Sequence, residues 1–325
     1  MNIIFMGTPD FAVPTLKGLI NSQHKVIAVV TQPDRPRGRD REILPSPIKL
    51  AVSEANLIAT ETHKIEVLQP EKVKEQAFIK KLSEYKPECI VVVAFGQILP
   101  KEILSLPKYG CINLHASLLP KYRGAAPIHW VLFKGETKTG VTSTLMDEGM
   151  DTGDTLIHRD IEIKDEDNAG TLNDRLSRIG SNVILETLDG LEKGIIKRIK
   201  QNNLSATYAP KLKKEDSLIN WRDSVIKIVN RVRGLSPEPG AYTFYNRKRL
   251  KVMKAGYLLK DVTGESGEVF EVNRNGIKVV CGDGLVIIKE LQLEGKKVMG
   301  VGEFISGHDI KAGERFGGPN GKSIT

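Results

Sequence analysis

Cys89–Ala94 reads CIVVVA, six consecutive residues without a charged or hydrogen-bonding side chain of any strength. A strand with one wet face would alternate apolar and polar residues. An unbroken apolar run of this length predicts instead a strand buried on both faces, as in a parallel sheet covered by helices. Working outward, Asn2–Met6 (NIIFM) and Lys25–Thr31 (KVIAVVT) are further strand candidates upstream, and Gly110–Leu114 and Gly140–Met146 downstream. Helical spacing is read between them at Phe11–Asn21, Ile48–Ala55, Phe78–Tyr85 and Ile128–Phe133. Strands alternating with helices predict an α/β, Rossmann-like domain built on a parallel sheet.

The texture changes after about residue 200. Gln201–Pro210 (QNNLSATYAP) is polar, ends in proline and reads as a linker. Ser224–Leu235 reads as a basic helix. Short strand candidates follow at Ala241–Tyr245, Leu250–Ala255, Gly267–Val272, Gly276–Val280 and Leu285–Leu293. Turn residues separate them: Asn246, Gly256, Asn273-Arg274-Asn275 and Gly282-Asp283-Gly284. Short strands punctuated by glycine predict a small, OB-like β-barrel. The expected organisation is an α/β domain over 1–200, a linker over 201–210 and a basic barrel over 211–325.

A chain of 325 residues, 40% hydrophobic, is long enough for two cores. No window approaches the roughly 20 apolar residues of a membrane span. The start, MNIIFMGTPDF, lacks the charge and long apolar run of a signal peptide, so a cytoplasmic location is expected. Cys89, Cys111 and Cys281 are widely spaced, with no CxxC or Cys/His cluster, which argues against zinc and against a disulfide framework. Cys89 and Cys111 sit in apolar runs and read as small core residues. Of the net charge of +8, residues 206–325 carry +7, with 21 Lys/Arg against 14 Asp/Glu, and the first 205 residues only +1. A near-neutral body with a basic tail suits a polyanionic partner, although a merely solubilising surface would look similar.

Four segments stand out as chemistry. Gly7-Thr8-Pro9 follows the first strand, where a glycine can admit a ligand. GTPDFA lacks the second glycine of a dinucleotide fingerprint, so a tight strand-to-helix turn explains it as well and nicotinamide chemistry is disfavoured. In Gly110–Pro127 (GCINLHASLLPKYRGAAP), Asn113 and His115 are two apart at a strand end and share one face. An amide beside an imidazole can serve oxyanion stabilisation and proton transfer. Met146–Asp154 (MDEGMDTGD) holds a carboxylate that would orient His115 and support its charged form. Spacing does not say whether that is Asp147, Glu148, Asp151 or Asp154. The run does not fit a calcium loop. Finally, Gln32–Lys49 (QPDRPRGRDREILPSPIK) carries Arg35, Arg37, Arg39, Arg41 and Lys49 among four prolines. It cannot be one regular element, and a basic connector of this length reads as functional.

Asn-x-His followed by Ser-Leu-Leu-Pro-x-Tyr-Arg-Gly-x-x-Pro, then Asp-x-Gly, resembles the 10-formyltetrahydrofolate-dependent formyltransferases. The resemblance runs from IIFMGTPDF through TQPDRPRGR and LPSPIK into the basic β domain, with Ala116 where relatives often have glycine. It is to the branch that formylates methionine on initiator methionyl-tRNA. It implies Asn113, His115 and Asp151 as the catalytic set, the aspartate being that of Asp-Thr-Gly. It implies a folate pocket lined by Ser117, Leu118, Leu119 and Pro120 and bordered by Phe95, Gly96, Gln97, Ile98 and Leu99. It also implies a loop, with Arg39 foremost, that enters the acceptor stem. The co-substrate would be 10-formyltetrahydrofolate, with no metal and no covalent enzyme intermediate, and nothing demands more than a monomer. Lys211, Arg247, Lys248 and Arg249 head the basic residues of the tail domain that could meet phosphates, with Lys213, Lys214, Arg231 and Arg233 beside them.

The same Asn/His/Asp core would serve a small-molecule amine such as a glycinamide ribonucleotide or an amino-sugar nucleotide, or water. Such acceptors need neither the arginine segment nor the basic domain. A tRNA-binding protein without catalysis leaves Asn113, His115 and Asp151 unexplained, and an oxidoreductase lacks its glycine fingerprint.

Overall fold

The computed structural model describes residues 1–37, 42–58, 60 and 64–317. Among them the N-terminal strands are β1 (Asn2–Gly7), β2 (Lys25–Val30), β3 (Arg35–Arg37), β4 (Glu42–Leu44), β5 (Glu66–Leu68), β6 (Cys89–Val93), β7 (Cys111–His115), β8 (Lys138–Leu145) and β9 (Thr155–Glu162). β3 and β4 pair with each other, and the remaining seven form one sheet in the order β5-β2-β1-β6-β7-β8-β9. Pairing is parallel from β5 to β7. β8 runs antiparallel to β7, so the sheet is mixed towards that edge rather than parallel throughout.

The apolar runs become central strands because both faces are covered. All five residues of β6 are buried, and Ile3 to Met6 of β1 are fully so. The helices of this half are α1 (Val13–Ile20), α2 (Pro47–Ile58), α3 (Gln76–Glu84), α4 (Lys101–Leu104), α5 (Pro127–Phe133) and α6 (Ala169–Glu192). The helix expected at Phe11–Asn21 opens as a 3-10 turn over Asp10–Ala12 before α1 begins. Neither β9 nor the 24-residue α6 is among the elements expected from the sequence. The α6 period was nonetheless present: Leu172, Leu176, Val183, Ile184 and Leu188 all face inward and are buried. Gly180 lies on that face, where an added Cβ would collide with the Leu114 side chain.

Strand order places the site. From β1 the chain steps one way to β2 and later the other way to β6 and β7. Connections on either side of such a switch point diverge and leave a crevice at the carboxyl ends of the strands. Gly7, Val93 and His115 are the last residues of β1, β6 and β7.

The C-terminal part has α7 (Val225–Leu235), capped by the Ser224 hydroxyl accepting from the Lys227 N–H. Then come β10 (Ala241–Tyr245), β11 (Lys248–Leu259), β12 (Val269–Asn273), β13 (Gly276–Cys281), β14 (Gly284–Leu293), β15 (Met299–Gly300) and α8 (Val301–Gly307). The antiparallel order is β10-β11-β14-β13-β12, with β15 on β14. Gly256 is not a turn: β11 continues through it to Leu259 because β14 offers partners that far, Gly256 lying opposite Ile287. The two edge strands are bridged by the chain end, where Gly317 pairs with Phe244 of β10 and Arg315 with Glu268 beside β12. Between them Phe316 is buried, its ring 6.0 Å from Trp221 and 5.8 Å from Tyr245. This bridge gives the sheet its barrel character by covering edges that would otherwise stay unpaired.

The chain divides into two compact units. One comprises Met1–Gly124, Lys138–Ile161 and Asn173–Tyr208, and the other Ala125–Thr137, Glu162–Leu172 and the chain from Ala209 onward. The short helix α5 therefore belongs with the barrel. There its Trp130 indole N–H donates to the Pro210 carbonyl at 2.8 Å, and His129 Nδ1 lies 2.6 Å from the Gly234 carbonyl.

Two outcomes follow from this packing. Phe316→Ala should cost about 3–5 kcal/mol, since it empties the aromatic cluster that closes the barrel. A denaturant midpoint unchanged from the parent would contradict that. Burial pushes the Cys111 thiol up to about 12 and the Cys89 thiol higher still. Both should stay protonated and unreactive towards a thiol reagent at pH 8 in the native protein and become reactive on unfolding, as read by mass spectrometry.

Candidate active site

Asn113 and His115 lie on β7, two residues apart and on one face. Asn113 pairs with Val92 of β6 and Thr144 of β8, and His115 pairs with Thr142. His115 is 6% exposed and Asn113 half-buried. The His115 Nε2 lies 2.9 Å from the Tyr122 carbonyl. A carbonyl only accepts, so Nε2 carries the hydrogen and Nδ1 is the nitrogen turned to the site. Nδ1 stands 3.5 Å from Asp151 Oδ1, and Asn113 Nδ2 stands 3.5 Å from the same oxygen. The other carboxylate oxygen, Oδ2, accepts from the Gly124 N–H at 2.8 Å.

One carboxylate thus has a short anchor on Oδ2 and two long approaches on Oδ1. Contacts of 3.5 Å are at the outer limit of a hydrogen bond, so the amide and the imidazole are near the carboxylate without being consumed by it. A reacting group entering between them would meet one amide donor, one imidazole nitrogen and one carboxylate base.

Of the four acidic residues that spacing left open, Asp151 is the one beside His115. Asp147 Oδ1 accepts from the Gly149 N–H and the Thr152 hydroxyl at 3.0 and 2.7 Å and so ties its own loop. Glu148 pairs with Lys101 at 3.5 Å. Asp154, half-buried, uses its carbonyl to accept from the Leu145 N–H at 2.9 Å. Asp151 adopts a left-handed backbone, φ +54°, as does Tyr122 at +61°. Such conformations in non-glycine residues persist only where neighbours over-determine them. At Asp151 the neighbour is Gln201, whose side-chain amide donates to the Asp151 and Gly153 carbonyls at 2.8 and 2.7 Å. The same Gln201 accepts from Arg123 through Oε1 at 3.1 and 2.8 Å, and Asn203 accepts from Arg123 at 2.9 Å. Thr207 accepts the Tyr122 N–H on its hydroxyl at 2.9 Å. Gln201, Asn203 and Thr207 fall in the stretch read as a linker, and no local sequence signal marks them. The nearest hint was an unexplained density of amides and hydroxyls.

The segment Ser117–Pro120 follows β7 directly. The Ser117 hydroxyl donates to the Lys121 carbonyl at 2.6 Å, and Thr142 both donates to the Ser117 carbonyl and accepts from the Leu119 N–H. Ser117 is buried, and Leu118, Leu119 and Pro120 are half-buried. Beyond β6, Phe95 and Leu99 are buried in the core of the sheet domain, while Ile98 is 83% exposed. Gly96 takes φ +88°, and the Gln97 side chain accepts from the Val73 N–H at 3.0 Å. The Phe95 carbonyl receives the Thr8 hydroxyl at 3.1 Å and the Gln32 amide at 3.2 Å. The turns after β1, β2 and β6 are thereby joined at the crevice, which is where Gly7-Thr8-Pro9 contributes.

Among the basic residues, Arg35 and Arg37 lie on β3, and Arg35 pairs with Glu71 at 2.8 Å. Arg39 and Arg41 lie outside the described residues. Arg247, Lys248 and Arg249 are exposed at the β10–β11 turn, with the Arg249 guanidinium 4.7 Å from the Tyr242 ring centre. Lys211, Lys213 and Lys214 are exposed too. Arg233 donates to the Asp167 and Lys164 carbonyls at 2.8 and 2.6 Å, and Arg231 to the Asp216 carbonyl. Those two guanidiniums hold loops.

Residues 1–188 match the formyl transferase family and residues 211–309 match the formyl transferase C-terminal domain. The methionyl-tRNA formyltransferase of Geobacter sulfurreducens is 50% identical over 317 residues, 98% of this chain and 97% of that protein. That of Desulforamulus reducens is 47% identical over 99% of each. Among solved structures, WlaRD, a sugar 3N-formyl transferase with dTDP and 5-N-formyl-THF, is similar at a TM-score of 0.63 and 21% identity, over 91% of this chain and 99% of that one. Methionyl-tRNA formyltransferase from Clostridium thermocellum is similar at 0.52 and 22%, over 79% and 93%. Such identities speak to the fold alone. Among the described residues no helix is long and apolar enough to cross a membrane. On the strength of its sequence relatives along nearly its whole length, the chain belongs to the formyl transferase family and, within it, to the methionyl-tRNA formyltransferases.

Proposed function

We propose that this protein transfers the formyl group of 10-formyltetrahydrofolate to the α-amino group of methionine on initiator tRNA, and that Asn113, His115 and Asp151 carry the chemistry. The observation that carries the residue assignment is the meeting of one imidazole nitrogen and one amide nitrogen on the same Asp151 oxygen, each at 3.5 Å. The amine attacks the formyl carbon, a C–N bond forms and the carbonyl oxygen takes negative charge. The Asn113 amide donates to that oxygen. His115 has its Nε2–H committed to Tyr122, and a proton on Nδ1 makes it a cation shared between Asp151 and the oxyanion. Asp151 accepts the proton that the amine loses and returns it to folate N10 as the oxyanion collapses to the formyl carbonyl and the bond from carbon to N10 breaks, releasing tetrahydrofolate. No step calls on a metal or a covalent enzyme intermediate.

The folate would lie along Ser117–Pro120 and the turn Phe95–Leu99, at the crevice where the strand order reverses. The tRNA would meet the basic segment 32–49, the exposed Arg247, Lys248 and Arg249 turn, and the exposed Lys211. Arg231 and Arg233 are weaker candidates because each already donates to backbone carbonyls. The protein would work as a monomer in the cytoplasm.

The decisive assay offers purified protein 10-formyltetrahydrofolate with charged initiator tRNA, with glycinamide ribonucleotide, or with water alone, and scores formylmethionine after deacylation. Product from tRNA only is expected, and folate turnover without it would remove the acceptor. Asn113→Ala, His115→Ala and Asp151→Ala should each lower kcat by roughly 10²–10³, with tRNA binding retained. A variant with near-normal turnover would leave the catalytic set. Gln201→Ala should lower kcat by about tenfold by loosening the Asp151 backbone. Arg39→Ala should raise KM for tRNA far more than KM for folate, and tRNA affinity should fall steeply with salt.

A further inference from the structure

Lys49 counts as one more cation of the basic segment by sequence, yet its ammonium already has a carboxylate partner. Lys49 Nζ lies 2.5 Å from Asp34 Oδ2, with the two side chains only 33% and 27% exposed. Asp34 Oδ1 accepts from Gln69 Nε2 at 2.8 Å, and that same nitrogen donates to the Gln32 carbonyl at 3.0 Å. A second tie lies beside the first. The Thr31 and Ser46 hydroxyls are 2.7 Å apart and both buried, and Ser46 Oγ accepts the Lys49 N–H at 3.0 Å. Residues 31–34 lead into the β3–β4 hairpin and 46–49 lead out of it. The hydrogen bonds of Lys49 and Gln69 hold the Asp34 carboxyl below the usual carboxylate range, as expected of a carboxylate engaged in this way.

We propose that Asp34, Lys49 and Gln69 form a clamp at the root of the basic hairpin and act as positioning residues for the tRNA acceptor arm. A two-stranded hairpin of three residues a side is not stable alone, so its placement must come from its root. The clamp pays in advance the ordering entropy that a loose hairpin would lose on binding. Gln32 extends it to the Phe95 carbonyl, so the hairpin root and the turn after β6 are one hydrogen-bonded unit. This inference rests on the reading above that the hairpin meets tRNA.

The test compares Asp34→Asn, Lys49→Met, the double variant, Lys49→Arg and the reference Arg39→Ala in the full-length enzyme. It measures KM for charged tRNA, KM for folate, kcat, and the slope of log affinity for tRNA against log salt. Asp34→Asn and Lys49→Met are each expected to raise KM for tRNA by roughly tenfold, with the double no worse than either. Lys49→Arg should restore most of the loss, and the salt slope, kcat and folate KM should stay near the parent. The sign at Asp34 decides the matter. If Lys49 instead contacts phosphate, removing the Asp34 charge leaves tRNA binding unchanged or tighter, and Lys49→Met lowers the salt slope by about one. That result overturns the clamp. Asp34→Asn without effect while Arg39→Ala is impaired sinks the clamp alone, and no effect in either sinks the hairpin reading with it.

Discussion

The Asp151 carboxylate is a half-buried charge whose position is held from two sides. The Gly124 N–H fixes one oxygen at 2.8 Å, and Gln201 fixes the backbone through the Asp151 carbonyl at the same distance. The left-handed φ of Asp151 is tolerable only because both constraints act on it. Everything else in the site is arranged around that oxygen pair. β7 delivers Asn113 and His115 to one side of it, and the loop ending at Gly124 closes over the other.

The arrangement explains why several residues distant in sequence must sit where they do. Arg123 could have been read as a phosphate ligand, yet its guanidinium is occupied by Gln201 and Asn203. In this setting it ties the Tyr122–Gly124 turn to the chain at 201–207, and that turn supplies both the carbonyl that orients His115 and the amide that orients Asp151. Two backbone groups and one partly buried network therefore set the tautomer of the imidazole and the aim of the carboxylate.

The same logic separates cations that hold structure from cations that remain available. Lys49, Arg231 and Arg233 each spend donors on a carboxylate or on carbonyls, whereas Arg247 and Lys248 stand exposed at a turn with positive φ at Asn246 and Arg247. Charge alone does not distinguish these classes, because a net +7 over residues 206–325 counts bound and unbound cations alike.

From the sequence itself came the sheet, read from unbroken apolar runs such as CIVVVA. Those runs bury on both faces whatever the details of their neighbours, so a local pattern suffices. The pairing of Asn113 with His115 was legible for the same reason, since the two-residue period of a strand is a local rule. The choice among Asp147, Glu148, Asp151 and Asp154 was not legible in spacing, and only the resemblance to a known family singled one out. Four carboxylates on one turn differ only in which neighbour each meets, and those neighbours come from residues 115, 124 and 201. The continuation of β11 past Gly256 was hidden likewise, because a glycine in a strand looks like a turn until β14 is known to lie opposite. Tertiary structure decided what depended on partners far along the chain: the hydrogen bonds that aim Asp151, the Lys49 and Asp34 pair, and the closure of the barrel by Phe316. Such contacts leave no periodic trace, because each is a single pairing across tens to hundreds of residues rather than a repeated local preference.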